Sequence, residues 1–421
     1  MKDRVAGLDA LRTLGAMMIL IFHLALIFYL SVTHSPKLTP IVDNFFMGVQ
    51  LFFLISAFSL YYQYFNRLNN RIEIKAFVIR RYLRIAPLFY IMFAVFVVFG
   101  YMTVPTPVIP VPISFEDYFL HFTLLFNLFP QANDSLVIAG WSISVLFLFY
   151  LMLPVLIIFI RKARYALILL VGSLFLSSWY YFQMLALVPS IPNYFPERSI
   201  VTQFPFFIMG IFCFLILRGH LGRDTGNPEG SNNPRSIGNV FKKRLLGWCD
   251  RIRIKRVAKI TKRISELLIK RILNIVGLGL IIFGTLLICM LILKFGLYSS
   301  LVPITSINAK YYAWGLGFGC LIFGVALYPA KFFVNRFTKF IAERSYSIYL
   351  LHGFVIALLY YLDVYDRIYE WVIDSDLTFL ISLLLTFILV MAIATVSYRY
   401  LELPIARYSN KRKSLNGIQK K

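Results

Sequence analysis

Apolar segments about twenty residues long alternate with polar segments along almost the whole chain. A helix needs about 20 apolar residues to cross the hydrocarbon core of a bilayer. Ten segments meet this requirement, at 8–30, 44–65, 86–104, 141–160, 165–188, 201–217, 273–294, 311–328, 345–363 and 377–397. The pattern therefore predicts an all-α, polytopic membrane helical bundle with about ten transmembrane helices.

Basic residues are concentrated in the polar segments on one side of these spans. If the N-terminus is cytoplasmic, all but five of the 43 Lys and Arg residues fall on the cytoplasmic side. The exceptions are Lys37, Arg198, Lys294, Lys310 and Arg367. The positive-inside rule accounts for this asymmetry and predicts that both termini are cytoplasmic. The net charge of +24 thus reflects membrane topology, and no nucleic-acid partner is expected.

The chain is interpreted as a single membrane domain, 1–421, with a basic cytoplasmic insert at 218–271. Over 242–271, apolar residues recur mostly every three to four positions among many Lys and Arg. Such a basic amphipathic helix is expected to lie on the anionic lipids of the inner leaflet. A docking surface for a soluble partner is the alternative. The four cysteines lack metal-ligand spacing, so no metal site is predicted.

One titratable ring lies inside the first apolar segment. His23 follows Arg12 by eleven residues, which is about 20° past three helical turns and a climb of about 16 Å. Both side chains therefore lie on one helix face, with Arg12 at the membrane surface and His23 near the midplane. A titratable group in hydrocarbon usually marks a functional site. The alternative is a neutral imidazole that hydrogen-bonds a neighbouring helix.

Several motifs occur in a fixed order along the chain. They are GLDALR at 7–12, His23, GVQLFFLISAF at 48–58, RRYLRIAP at 80–87, WSIS at 141–144, FYLMLP at 149–154, SYSIYLLH at 345–352 and SYRYLELP at 397–404. Together they resemble acyltransferase family 3. This family comprises integral-membrane acyltransferases that modify bacterial cell-surface glycans and some small molecules. The resemblance covers residues 7 to 404.

The resemblance implies a ten-helix bundle in the bacterial cytoplasmic (inner) membrane. It implies transfer of an acyl group, usually acetyl from acetyl-CoA, to a hydroxyl of a cell-surface or lipid-linked glycan. It also implies functional roles for Arg12 and for the R-x-x-R pattern of Arg81 and Arg84. Acyl-CoA is expected as the donor substrate, with no metal cofactor.

His23 is the natural catalytic base for this chemistry. A hydroxyl is a poor nucleophile near neutral pH, so a base must take its proton, and imidazole titrates in that range. His23 either deprotonates the acceptor directly in a ternary complex or is itself acylated first. The residues do not distinguish the two routes.

The arginines at the cytoplasmic side are candidates for donor binding. Arg81 and Arg84 share a helix face, and their guanidinium groups, with that of Arg80, suit the phosphates of CoA. Surface anchoring is the alternative. Arg12 either holds a CoA phosphate or pairs with Asp9, three residues earlier.

The acceptor candidates are Trp141, Ser142, Tyr150 and His352. Trp141 is expected to stack on a sugar face, although interfacial Trp and Tyr also serve as membrane anchors. His352 is expected to polarise a carbonyl or orient a substrate, or else to be a hydrogen-bonded core histidine. Glu402 is expected to form a local ion pair with Arg399.

Two positions depart from the family pattern. Ala57 stands where the family commonly has Gly, and Leu146 stands where it commonly has Glu. The missing carboxylate bears on how the acceptor is oriented and does not remove the proposed base. The rival functions are an acyltransferase acting on a small molecule, a transporter or flippase for an anionic glycan precursor, and a non-catalytic assembly subunit.

Overall fold

Apart from short turns, the described chain is helical, and no strand lies in that part. The structure is a computed structural model that describes residues 5, 7–30, 42–102, 115–130, 135–187, 195–224, 255–292 and 307–408. Long helices are expected for these segments because a backbone in lipid must satisfy its own polar groups, and a helix does so within one segment.

The helices are numbered in chain order. They are α1 Gly7–Leu30, α2 Gly48–Tyr64, α3 Arg71–Met102, α4 Phe115–Thr123, α5 Trp141–Phe159, α6 Ala163–Leu187, α7 Ile200–Asp224, α8 Lys255–Ile292, α9 Ile307–Leu327, α10 Arg336–Tyr361, α11 Val364–Val372 and α12 Ser375–Ser397. Short turns of 3₁₀-helix at Phe45–Met47 and Phe126–Leu128 and a four-residue helix at Phe195–Arg198 connect them.

The described residues contain nine helices that are long and apolar enough to cross a membrane. The number is ten if α10 and α11, which meet at an angle of 64°, form one span. The predicted polytopic helical bundle is therefore confirmed, and the chain is a multi-pass membrane protein. Each predicted span overlaps one of the long helices.

The third span begins earlier than predicted. The predicted start was residue 86, but α3 begins at Arg71 and continues through Pro87 without a break. Proline is tolerated in membrane helices because neighbouring groups satisfy the backbone carbonyl that it frees. Arg80, Arg81 and Arg84 consequently lie within one continuous helix that runs directly into the third span.

The prediction for the basic insert is corrected where the structure describes it. Residues 255–271 were expected to lie along the inner leaflet, but they continue directly into the seventh span as the 38-residue helix α8. No Gly or Pro interrupts the sequence until Gly277, so nothing in the chain breaks the helix where it would have to turn onto the leaflet. Residues 242–254 lie outside the described residues.

Helix α1 packs mainly against α2 and α10. Two glycines bring α1 and α2 close together: a Cβ on Gly48 would lie 2.8 Å from the carbonyl oxygen of Gly15. Small residues at such crossings let membrane helices approach backbone to backbone. The close contact sets α1 beside α10 and α2, and the candidate site lies among these three helices.

Candidate active site

A cavity of about 670 Å³ opens at the end of the bundle that carries Arg80, Arg81 and Arg84. We call it the basic cavity and that end of the bundle the basic end. Its walls come from α1, α2, α3, α5, α10 and the residues 398–406 that follow α12. The charged residues lining it are Arg12, Arg67, Arg80, Arg81, Arg84, Glu343 and Glu402. Arginines outnumber glutamates, so the cavity favours an anionic ligand.

Arg81 is held against the cavity wall. Its Nη2 donates to Gln63 Oε1 at 3.0 Å and to Tyr64 OH at 3.3 Å. Its guanidinium carbon also lies 5.2 Å from the Tyr64 ring centroid and 5.9 Å from that of Tyr150. Arg84 is exposed and forms neither a hydrogen bond nor an ion pair with the described residues. The guanidinium of Arg81 is therefore held by side-chain hydrogen bonds, whereas that of Arg84 is exposed and has none among the described residues.

Arg12 also lines the basic cavity, but it has partners of its own. Its Nη1 lies 2.7 Å from Asp9 Oδ1, which is the local ion pair considered from the sequence. Its Nη2 donates to Ser59 Oγ on α2 at 2.7 Å. Asp9 neutralises part of the charge of Arg12. The hydrogen bond to Ser59 links α1 to α2.

The inner end of the basic cavity is closed by a hydrogen-bonded group on α5 and α10. Tyr349 OH donates to the carbonyl oxygen of Ala139 at 2.8 Å and lies 2.6 Å from Ser142 Oγ. Ala139 has a φ of 63°, in the left-handed region that non-glycine residues rarely adopt. Both Ser142 and Tyr349 line the cavity. We call this group the Tyr349 floor.

Two histidines meet directly beyond the Tyr349 floor. His352 Nε2 lies 3.3 Å from His23 Nδ1, and the ring centroids are 4.9 Å apart. His352 is one helical turn from Tyr349 on α10, with ring centroids 5.9 Å apart. His352 is 1% exposed, whereas His23 is only half-buried. Neither ring lines the basic cavity, so the pair lies next to the Tyr349 floor and outside the cavity lining.

The backbone determines which nitrogen of each ring carries its proton. His23 Nδ1 lies 2.9 Å from the carbonyl oxygen of Ile19, and His352 Nδ1 lies 3.2 Å from that of Ile348. A carbonyl oxygen only accepts, so each Nδ1 carries the hydrogen. His352 Nε2 then has a lone pair that faces the His23 Nδ1–H. His23 Nε2 has the lone pair that a base requires.

The far side of the histidine pair carries an aromatic ring and a cation. The guanidinium carbon of Arg198 lies 5.8 Å from the Trp141 ring centroid, within electrostatic range of His23. Asn127 holds the backbone here: its Nδ2 donates to the Arg198 carbonyl oxygen at 2.9 Å, and its Oδ1 accepts from the Ile200 N–H at 2.8 Å. Trp141 does not line the basic cavity.

The predicted acceptor residues do not form one group in the structure. Ser142 and Tyr150 line the basic cavity together with the donor candidates, and Tyr150 lies beside Arg81. Trp141 lies beyond the Tyr349 floor, and His352 contacts His23. Trp141 and His352 therefore lie outside the lining of the basic cavity, whereas Ser142 and Tyr150 belong to it.

Glu402 does not form the predicted ion pair with Arg399. Its side chain is 8% exposed and its Oε1 accepts from Ser347 Oγ, while Arg399 is exposed and lies against Tyr400. The two side chains separate because residues Tyr398–Glu402 form a π-helical turn, which changes the angular spacing of an α-helix.

The two departures from the family pattern lie at different kinds of position. Ala57 is fully buried where α7 approaches α2, and a Cβ on Gly210 would lie 3.1 Å from its Cβ. A small residue is required there for packing. Leu146 lines the basic cavity, so a carboxylate at this position would have faced its interior.

Sequence reasoning missed the roles of Tyr349, Glu402 and Arg198. Tyr349 precedes His352 by three residues on one helix, and this spacing places both on one face. Glu402 is an acid near the end of an apolar span, but its burial depends on Ser347 of another helix. Arg198 is one of the few basic residues assigned outside, which is the signal that could have singled it out.

The fold and the site define a class: a multi-pass helical membrane protein with a basic cavity on one side of a buried histidine pair. The family model for the acyltransferase domain of acyltransferase family 3 matches residues 5–399. The chain therefore belongs to acyltransferase family 3, and it is a membrane acyltransferase. No curated protein matched the chain. No solved structure matched it either.

Proposed function

We propose that this protein transfers an acetyl group from cytoplasmic acetyl-CoA to a hydroxyl of a cell-surface or lipid-linked glycan. The observation that carries the proposal is the succession of contacts from the basic cavity to the Tyr349 floor and from Tyr349 to the histidine pair. A donor enters from one side of the floor, and an acceptor reaches His23 from the other. The setting is the bacterial cytoplasmic membrane.

The basic cavity suits the donor because CoA carries several phosphate charges. Hydrogen bonds to Gln63 and Tyr64 hold the guanidinium group of Arg81 in place. A guanidinium held in this way binds phosphate oxygens with little further loss of side-chain freedom. Arg84 and Arg80 supply further charge on the same helix. The pantetheine arm extends from these arginines along the cavity, with the thioester at the Tyr349 floor.

His23 Nε2 supplies the base. In the direct route it takes the proton of the acceptor hydroxyl while the hydroxyl oxygen attacks the thioester carbonyl carbon. The carbon–sulfur bond then breaks, and the CoA sulfur leaves with the proton that His23 returns. In the covalent route the same nitrogen first attacks the thioester carbonyl carbon, the carbon–sulfur bond breaks, and CoA leaves as the thiolate. The acceptor hydroxyl oxygen then attacks the acyl carbon, the carbon–nitrogen bond to His23 breaks, and the hydroxyl proton passes to the thiolate.

His352 is a positioning residue for His23. When His23 Nε2 takes a proton, the ring becomes positive, and its Nδ1–H then binds more strongly to the Ile19 carbonyl oxygen and the His352 lone pair. The same two contacts hold the proton on Nδ1 and leave Nε2 as the base. This is the role that an orienting group has in a catalytic triad.

The acceptor binds on the Trp141 side of the floor. Trp141 offers a ring face for a sugar, and Arg198 beside it offers donors for hydroxyl or anionic groups of a glycan. Leu146 leaves the cavity wall apolar where the family commonly has a carboxylate, so acceptor orientation falls to residues beyond the floor.

The test compares the cell-surface polysaccharide of strains with and without the gene by NMR and mass spectrometry. We expect loss of acetyl groups from the glycan when the gene is absent, and restoration by the wild-type chain but not by His23→Ala. Unchanged acetylation of the cell surface without the gene would refute the glycan acceptor. Incubation of membranes with isotopically labelled acetyl-CoA would then show whether a small molecule carries the label.

A further inference from the structure

Glu402 is a buried acid in the wall of the basic cavity whose carboxylate is only half satisfied. Its side chain is 8% exposed and lines the cavity. Oε1 accepts from Ser347 Oγ, but Oε2 is buried without a hydrogen-bond partner among the described residues. A buried oxygen without a partner is costly, so such an atom beside a cavity points to a ligand that supplies a donor.

The local backbone and the nearby charges also distinguish Glu402. Glu402 ends the π-helical turn Tyr398–Glu402, and such turns occur frequently at functional sites. Arg84 and Arg344 lie within electrostatic range of the carboxylate, yet neither forms an ion pair with it. Oε2 therefore has no partner of its own among the described residues, and Glu402 lines a cavity that otherwise favours anions.

The position of Glu402 along the cavity can be judged from its hydrogen-bond partner on α10, Ser347. Ser347 lies two residues from Tyr349 toward the basic end, which is about 3 Å along the helix axis. Glu402 thus lies between the Tyr349 floor and the arginines. A CoA thioester with its sulfur at the floor has its first amide, two carbons from the sulfur, close to this depth.

We propose that Glu402 Oε2 accepts a hydrogen bond from an amide N–H of the pantetheine arm and thereby sets how far the thioester reaches into the bundle. The inference rests on the proposed acyl-CoA donor. A carboxylate only accepts hydrogen bonds, and the arm offers two amide N–H groups and one hydroxyl as donors. The amide nearest the sulfur is the donor that falls at the depth of Glu402. The phosphates bind elsewhere, at Arg81 and Arg84, because an acid would repel them.

Binding to two probes tests this role. Isothermal titration of the purified full chain uses CoA and adenosine 3′,5′-bisphosphate, which carries phosphates but no pantetheine arm. Two variants lose the same negative charge: Glu402→Gln keeps a carbonyl oxygen at the position, and Glu402→Leu does not. We expect Glu402→Leu to weaken CoA binding about tenfold. We expect Glu402→Gln to stay within about threefold of the wild type.

Neither variant should weaken binding of the bisphosphate. Equal weakening of both ligands in Glu402→Leu, or unchanged CoA affinity, would overturn the role of Glu402 while leaving the donor site intact. Failure of the wild-type chain to bind either ligand would instead overturn the proposed donor. Thermal unfolding and size-exclusion chromatography check the fold, and Ser347 Oγ retains Ser397 Oγ at 3.2 Å when Glu402 is replaced.

Discussion

His352 provides the sharpest test of how the histidine pair works. Replacing His352 by Leu removes the lone pair that faces His23 Nδ1–H and leaves the Ile19 carbonyl oxygen as the acceptor for that hydrogen. Leu fills a fully buried apolar site of similar size, so we expect the bundle to fold. His352→Gln is the matched control, because its side-chain oxygen can accept the same hydrogen bond.

The size of the effect follows from the geometry. A hydrogen bond to a charged group contributes about 1.5–3 kcal/mol, and the contact at 3.3 Å is longer than the usual N–H···acceptor distance. The contribution therefore lies at the lower end, near 1.5 kcal/mol. Since about 1.4 kcal/mol corresponds to a tenfold change in rate, His352→Leu should lower kcat about tenfold.

The assay measures CoA formation from acetyl-CoA by chromatography, in membranes of the host strain that supply the acceptor. We expect kcat to fall in His352→Leu while the KM for acetyl-CoA stays near the wild-type value, because neither histidine lines the basic cavity. His352→Gln should recover most of the activity.

Three results would refute the reasoning. One is wild-type kcat in His352→Leu. Another is an equal loss in the Leu and Gln variants, which would indicate a purely structural role for the ring. The third is a change confined to the KM for acetyl-CoA, which would place His352 in the donor site.

The remaining predictions concern the base, the donor site and the topology. His23→Ala should lower acyl transfer about 10²–10⁴-fold while CoA binding survives, and mass spectrometry of wild-type protein incubated with acetyl-CoA alone should reveal an acyl adduct on His23 if the route is covalent. Arg81→Ala should weaken CoA binding by about 1–3 kcal/mol, as should Arg84→Ala, measured by titration. Single cysteines placed within 363–376 should react with an impermeant reagent in intact cells, whereas cysteines within 242–271 should not.

Each of these predictions can fail clearly. Wild-type turnover by His23→Ala would move the chemistry elsewhere, with His352 as the next residue to test. Unchanged CoA affinity in both arginine variants would make Arg81 and Arg84 surface anchors. Labelling of the basic segment in intact cells would reverse the orientation and remove the cytoplasmic donor.

Much of the architecture could be predicted from local pattern. Span length and apolar content are properties of contiguous residues, and a helix in lipid satisfies its backbone within that same stretch. The spans therefore agreed with the helices. The start of α3 was misplaced because polar residues at the membrane surface are compatible with both a loop and an extended helix. Residues 255–271 were predicted to be helical, but local pattern did not show that this helix continues into the seventh span as α8.

The candidate residues were predictable by type but not by grouping. A histidine within one apolar span, and arginines beside another, can be recognised from the sequence alone. The contact between His23 and His352 joins residues 329 positions apart, and only the packing of α1 on α10 creates it. The same packing determined that Ser142 and Tyr150 belong to the basic cavity and that Trp141 lies beyond the floor.

Glu402 illustrates the physical reason. Neighbours in sequence suggested an ion pair with Arg399, since residues three apart share a face of an α-helix. The π-helical turn removed that relation, and Ser347 on α10 became the partner. The sequence by itself determined the membrane class, the spans and the chemical inventory, because these depend on local composition. The tertiary structure alone decided which of those groups meet, because contacts between helices depend on packing across hundreds of residues.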